Sequence, residues 1–303
     1  YSANGTLAWM DTYDNGGEDV ATAMRADASG YVYLTGHSEQ GGQKDCFTIK
    51  YSPLGSVEWS HRYNGAAGAD DKPTDLLVDP LGLFVGIAGE TVSTGTGKDA
   101  VALKYDLTGT LVWASATDKG GDETACSVGF DGFGNLFVAA TQESVPGSSK
   151  ILALKYDAFG IEQWATEYFS KFPGVNAALR GLADPVGNFY VVGETYNGST
   201  QDINIIQFSA NGTQEYVVAY PDLESSIERP MDLTISADGY GILVGDIEGA
   251  NGKKIGTARY SLQDLLIPPD FRGEAPAPHY AYFSNEGQLL ANDGTTADVD
   301  HYT

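Results

Sequence analysis

Apolar and polar residues alternate along this chain in short runs, and the runs come in sets. DVATAMRAD (19–27) passes through a Ser-Gly turn to YVYLTG (31–36). DCFTIKY (45–51) follows a polar loop, then a Pro-Leu-Gly turn leads into SVEWSHRY (56–63). Short runs rich in Val, Ile, Tyr, Phe and Thr, bounded by Gly, Asp, Asn and Pro, predict β-strands. The set returns as DLLVDPLGLFVGIAG (75–89), DAVALKY (99–105) and TLVWASA (110–116), then as SVGFDGFGNLFVAA (127–140), KILALKY (150–156) and IEQWATEY (161–168). A fourth copy reads GLADPVGNFYVVG (181–193), DINIIQF (202–208) and TQEYVVAY (213–220), and a fifth reads MDLTISADGYGILVG (231–245) and KIGTARY (254–260). No stretch sustains a helical period. The chain is predicted to be all-β.

A Trp or Tyr marks the last strand of each set: Trp9, Trp59, Trp113, Trp164 and Tyr216, at intervals of 50, 54, 51 and 52 residues. A period in this range, filled with four strands, predicts a β-propeller or a solenoid array. The ends predict its closure. Tyr1 aligns with the Tyr that ends each KY pair, so GTLAWMDTY (5–13) reads as a fourth strand, while the fifth copy has three strands and no fourth. The expectation is five four-stranded blades over residues 1–260, with the N-terminal strand completing the last blade and removing exposed edges from the circle.

Much of the consensus reads as architecture. Gly30, Gly82, Gly134, Gly187 and Gly239 fall in turns that call for positive φ, and Asp27, Asp79, Asp131 and Asp184 precede them as acceptors for backbone N–H groups. The recurrent Trp is expected to pack between neighbouring blades. Lys50, Lys104 and Lys155, followed in the repeat by Gln207 and Arg259, are expected at a solvated outer position.

DPVGNFYVVGET, DASGYVYLTGHS and the recurring D…KY…G…W frame resemble the bacterial β-propeller repeat often called SBBP, over residues 1–260. The family's name implies seven blades where this chain supplies five. The resemblance implies an exported, extracellular or cell-surface bacterial protein whose propeller serves as a binding or scaffold module, and it carries over no catalytic motif.

A net charge of −24, with only 17 basic residues in 303, argues against nucleic-acid binding, which needs clustered Lys and Arg. No run is long and apolar enough for a transmembrane helix, so no membrane insertion is expected. Tyr1 begins within a repeat, which reads as a processed product or a fragment. Cys46 and Cys126 fall at distant places in the repeat and predict buried free thiols. From residue 261 the pattern changes: LIPPDFRGEAPAP (266–278) lies in a Pro-rich linker (261–278), and 279–303 reads as an extension or a docked hairpin. Asp298, Asp300 and His301 in that tail form a weak metal-type cluster.

Two sets of residues stand out as candidate sites. Asp19, Asp71, Glu123, Asn176 and Glu228 open the first strand of each copy, and five such oxygens around an axis would suit Ca2+. A second position departs from the consensus: Ala23, Asp75, Ser127, Arg180 and Asp232, all predicted to face the channel. Asp75, Arg180 and Asp232 would be the acid/base pair and cation of a polysaccharide-active glycosidase or lyase, or else a compensated ion-pair network. GxSxG, HExxH and phosphate-loop motifs are missing. The favoured expectation is a non-catalytic extracellular propeller that binds a protein or glycan, or assembles through its blade faces or C-terminal tail. The polysaccharide-active enzyme is the alternative.

Overall fold

β-Branched and aromatic residues at alternate positions, with Gly-containing turns between them, fold this chain into antiparallel sheets of sequential strands. The computed structural model describes residues 1–95, 97–219, 227–236, 240–249, 252–261, 280–283 and 289–292. The first sheet holds β1 (Asp19–Ala26), β2 (Val32–Gln40), β3 (Gln43–Tyr51) and β4 (Val57–Tyr63), and the second β5 (Asp71–Val78), β6 (Phe84–Ser93), β7 (Gly97–Asp106) and β8 (Leu111–Thr117). The third holds β9 (Asp122–Phe130), β10 (Leu136–Val145), β11 (Ser148–Tyr156) and β12 (Glu162–Tyr168). β13 (Ala177–Ala183), β14 (Phe189–Tyr196), β15 (Gln201–Phe208) and β16 (Gln214–Ala219) make the fourth. The last sheet continues from β17 (Ile227–Ile235), β18 (Tyr240–Gly249) and β19 (Gly252–Ser261) into β20 (Tyr280–Phe283) and β21 (Leu289–Asn292). No helix occurs among the described residues.

The first strands of the sheets follow one another around the interior, β1 against β5, β5 against β9, β9 against β13 and β13 against β17. In the second, third and fourth sheets, strands two and three are covered on both faces by the neighbouring sheets. Their sequences are accordingly near-continuous apolar runs, and Ile151, Leu152, Ala153 and Leu154 of β11 are all fully buried. Strand four, at the outer edge, alternates: β8 (LVWASAT) turns Trp113 inward and Val112 and Ala114 outward. The turn acids act as the repeat predicts. Asp131 Oδ1 accepts from the N–H groups of Phe133 and Asn135, both at 2.9 Å, and Asp184 Oδ1 does the same for Val186 and Asn188.

The recurrent lysines are not solvated. Lys50, Lys104 and Lys155 are 7%, 1% and 8% exposed, and each reaches across to the next sheet. The sequence signal was their register: each lies directly opposite the blade's Trp, as Lys50↔Trp59, Lys104↔Trp113 and Lys155↔Trp164. Lys50 Nζ and Trp59 Nε1 both donate to the carbonyl of Leu107, at 3.1 and 3.0 Å. Lys155 Nζ and Trp164 Nε1 both donate to that of Ala210, at 3.2 and 3.1 Å. Lys104 Nζ donates to Gly134 O at 2.8 Å and lies 4.1 Å from the Phe84 ring centroid, while Trp113 Nε1 reaches Ala158 O at 3.1 Å. A buried ammonium is tolerable only when hydrogen-bonded. Here the aromatic faces and the next sheet's carbonyls supply that environment and tie sheet to sheet.

The Trp rings rest on turn glycines of the following sheet. A Cβ on Gly160 would meet the Trp113 ring at 2.6 Å, and Gly160 also holds φ +82°. Gly147 has a similar φ of +79° with open space around it. Gly160→Ala is therefore expected to cost about 2–3 kcal/mol and Gly147→Ala about 1 kcal/mol, left-handed strain alone accounting for the latter. Urea unfolding of the two variants checks the difference, and equal losses would mean that the ring contact contributes nothing.

The expected closing strand does not pair in this way. Residues 5–13 form no ladder, and β19 is extended by Tyr280–Phe283, with Gly256 opposite Tyr282 and Ala258 opposite Tyr280. The C-terminal residues have taken the edge that the repeat left for the N-terminal ones. Trp9 nonetheless occupies its repeat place: its ring stacks on Tyr51 at 5.4 Å and lies against Gly55, as Trp59 does on Tyr105 at 6.1 Å and Gly109. Gly239, the linker at 262–278 and the Asp298–Asp300–His301 cluster lie outside the described residues.

Candidate functional site

All five first strands carry a β-bulge at the same place. The extra residues are Thr22, Thr74, Cys126, Leu179 and Met231, each immediately before the non-consensus position. A bulge bends the strand and re-aims the next side chain. Three of the extra residues donate back into their own sheet: Thr22 Oγ1 to Thr35 O at 3.2 Å, Thr74 Oγ1 to Ala88 O at 3.1 Å and Cys126 Sγ to Ala139 O at 3.3 Å.

The re-aimed residues meet at the centre. Asp75 is 3% exposed and is held from three sheets besides its own. Arg25 Nη2 donates to its Oδ1 at 3.0 Å, the Val128 N–H donates to Oδ2 at 3.2 Å, and Arg180 Nη1 stands 3.7 Å from Oδ2. The single Ser127 hydroxyl proton lies between Asp75 Oδ2 at 3.0 Å and Gly181 O at 3.1 Å. Arg180 turns its Nε to Asp232 Oδ1 at 3.0 Å, and Asp232 also accepts from the Leu233 N–H. Burial alone would lower the Arg180 pKa, but its hydrogen bond to Asp232 and the charge of Asp75 outweigh it and hold the guanidinium charged. Cys126 beside this cluster is a free thiol pushed up to about 12 by burial, as Cys46 is elsewhere.

Asp75, Arg180 and Asp232 are thus brought together, with Ser127, along one chain of contacts. Arg25 completes the chain from the first sheet. It sits two residues past the alignment position held by Ala23, and its one sequence signal is that it is the sole basic residue of DVATAMRAD. With two arginines against two aspartates, the centre is charge-balanced.

Among the described residues Asp19, Asp71 and Glu123 do not gather into one metal-type group. Asp19, Asp71 and Asn176 bond within their own entry loops and adjacent strands, and the Glu228 side chain lies outside the described residues. Asp19 accepts from the Asn15 N–H at 2.9 Å, which with Ser38 lowers its pKa. Asp71 accepts from the Gly65 N–H at 2.6 Å and from the Thr91 hydroxyl, although burial still raises its pKa overall. Asn176 Nδ2 donates to Ser149 O at 2.8 Å. Glu123 is the exception. It is fully buried and neither carboxylate oxygen has a partner in hydrogen-bond geometry. Burial pushes its pKa up to about 7, with Asp118 and Asp99 adding repulsion; the nearby Lys119 N–H and Gln142 amide temper this without being aligned to it.

No family model matches this sequence, and no curated protein does. Solved structures do. The chain is similar to an ACO/RPE65 chimera with a TM-score of 0.51 at 9% identity, over 82% of this chain and 61% of that one. It is similar to cobalt-substituted Synechocystis ACO with a TM-score of 0.50 at 9% identity, over the same shares. An endo-arabinase from Bacteroides thetaiotaomicron aligns over 80% of this chain and 94% of its own, with a TM-score of 0.43 and 13% identity. The chain therefore spans about three-fifths of the two ACO-type chains. At such identities the likeness is one of fold, a propeller-like all-β architecture, and extends to no activity.

Proposed function

We propose that this chain is a non-catalytic, extracellular β-propeller of five blades that serves as a protein- or glycan-binding or structural module in a bacterial cell-surface or secreted assembly. The observation that carries this reading is the state of the central residues. Asp75, the carboxylate placed best for chemistry, is buried and engaged by Arg25, Ser127, Val128 and Arg180, so it has no open side toward a substrate. Glycosidase chemistry needs a carboxyl able to reach a sugar oxygen and a second one facing the anomeric carbon. A charge-balanced network across four sheet boundaries serves instead to fix the sheets about their axis. The five-blade count is supported by how closely the second and fourth sheets approach, at Asp75 and Arg180, and the place of the N-terminal segment by Trp9 resting on Tyr51 and Gly55.

A binding module presents its loops and outer edges, not its axis. Affinity electrophoresis through immobilised polysaccharides and capture of surface proteins by the full chain test this. Saturable retention that survives Asp75→Asn is the expected result; retention abolished by that substitution in a folded chain would place the ligand at the axis and overturn the reading.

A further inference from the structure

The repeat allows each boundary between sheets to be compared with the next. At the boundary of the first and second sheets two acids meet, Asp45 of β3 and Asp71 of β5, and both are served: Arg62 Nε donates to Asp45 at 2.7 Å, and Asp71 holds the Gly65 N–H and the Thr91 hydroxyl. At the boundary of the third and fourth sheets Lys150 stands at the place of Asp45 and pairs with Glu167 at 2.7 Å, while Asn176 is hydrogen-bonded to Ser149, so no two acids meet there. Between the second and third sheets the pair is Asp99 with Glu123. Ala116 stands where the first sheet has Arg62, and Gln142 stands opposite Glu123 where the second has Thr91 opposite Asp71. Asp118 adds a third carboxylate from the loop before β9. The nearby lysines are engaged elsewhere, Lys119 with Glu162 at 2.8 Å and Lys98 with Glu90 at 3.0 Å.

One carboxylate oxygen from each of Asp99, Asp118 and Glu123 lies within 4.8 Å of the others. Two oxygens that each sit about 2.4 Å from one calcium ion can be at most about 4.8 Å apart, so this spacing suits a shared cation. Two buried side chains stand opposite each other here, Glu123 and Gln142. Both Glu123 oxygens lack donors, and so does Oε1 of Gln142, whose Nε2 is spent on the carbonyls of Lys119 and Gly120 at 2.7 and 3.2 Å. The Gln142 residue is 1% exposed. A buried carboxylate and a buried amide oxygen, both unserved by protein donors, are the condition a cation relieves.

We propose that Asp99, Asp118 and Glu123, with the side-chain oxygen of Gln142, bind a hard divalent cation, Ca2+, at the boundary of the second and third sheets. An all-oxygen set of carboxylates and an amide selects Ca2+ over softer metals. The ion supplies positive charge to the Glu123 carboxylate, which no protein donor meets in hydrogen-bond geometry.

The full chain, stripped with a chelator and dialysed, is melted with CaCl2, MgCl2 or KCl at matched ionic strength, as wild type, Asp118→Asn and Glu123→Gln. Tb3+ luminescence gives a direct measure of binding. Saturating Ca2+ is expected to raise the wild-type Tm by on the order of 5 °C, with a smaller effect of Mg2+, none of K+, and no calcium response in either variant. Asp118 is exposed, and Asn keeps the oxygen that accepts from the Gly120 N–H at 2.7 Å, so this variant folds whatever becomes of Glu123→Gln. A wild-type Tm unmoved by Ca2+ with no Tb3+ signal would overturn the proposal. So would an equal rise in Asp118→Asn, which would mark a general effect of cations on a chain of net charge −24.

Discussion

Replacing Asp75 by Ala lowers the free energy of unfolding by about 3–5 kcal/mol, as removal of one member of a buried ion-pair network does. The loss arises in several parts of the molecule at once. Arg25 and Arg180 keep their charges without the carboxylate that faces them, and the Val128 N–H and Ser127 hydroxyl lose their acceptor. These groups come from three sheets besides that of Asp75, so the variant loosens the centre of the array and not one blade. Asp232 is the internal control. Its side chain is 59% exposed and its pairing with Arg180 is open to water, so Asp232→Asn is expected to cost under about 1 kcal/mol. Urea unfolding of the two variants decides it. Similar small losses would mean that the central network carries no stability.

Trp164→Ala is the second large effect, at about 3 kcal/mol, toward the lower end for a truncated Trp because the ring is half-buried. The indole contacts Phe137 and Phe208, with centroids at 6.0 and 6.2 Å, rests on Gly212 and donates to Ala210 O. That carbonyl is shared with Lys155, so the two side chains form one latch between the third and fourth sheets. Lys155→Met keeps the apolar stem and loses only the ammonium contacts, and is expected to cost about 1–2 kcal/mol. The double variant should lose less than the sum of the two, because both act through one acceptor. Calorimetric or urea unfolding of the cycle reads the coupling, and strict additivity would show that the latch is two unrelated contacts.

The strands and the repeat were legible because alternation, turn residues and the recurrent Trp all report local structure, which the sequence encodes within a few residues. The central set was legible for the opposite reason: Asp75, Arg180 and Asp232 break the repeat. What could not be read was register across sheets. The lysines look solvated in a linear string, and only their position opposite a Trp and beneath the next sheet's carbonyls makes them internal. Arg25 is not marked by the alignment, because its long side chain reaches the centre from a position two residues away from the aligned one. The acidic ring failed because a repeated position at the start of a strand is a position on the rim, where Asp71 and Asn176 find partners nearby. Glu123 carries no mark of its own in the sequence, because what sets it apart, Ala116 for Arg62 and Gln142 for Thr91, lies in other strands. The repeat alone predicts residues 5–13 at the edge of β19, and the tail's ability to pair there has no marker in the periodicity.

The central claim is that the axial carboxylates hold the sheets together and perform no chemistry. The most direct measurement incubates wild type, Asp75→Asn and Asp232→Asn with a panel of acidic and neutral polysaccharides, follows reducing ends and unsaturated products, and records unfolding curves on the same samples. The account predicts no turnover by wild type and a loss of stability confined to Asp75→Asn. Depolymerisation by wild type that disappears in both variants while their unfolding curves stay unchanged would contradict it.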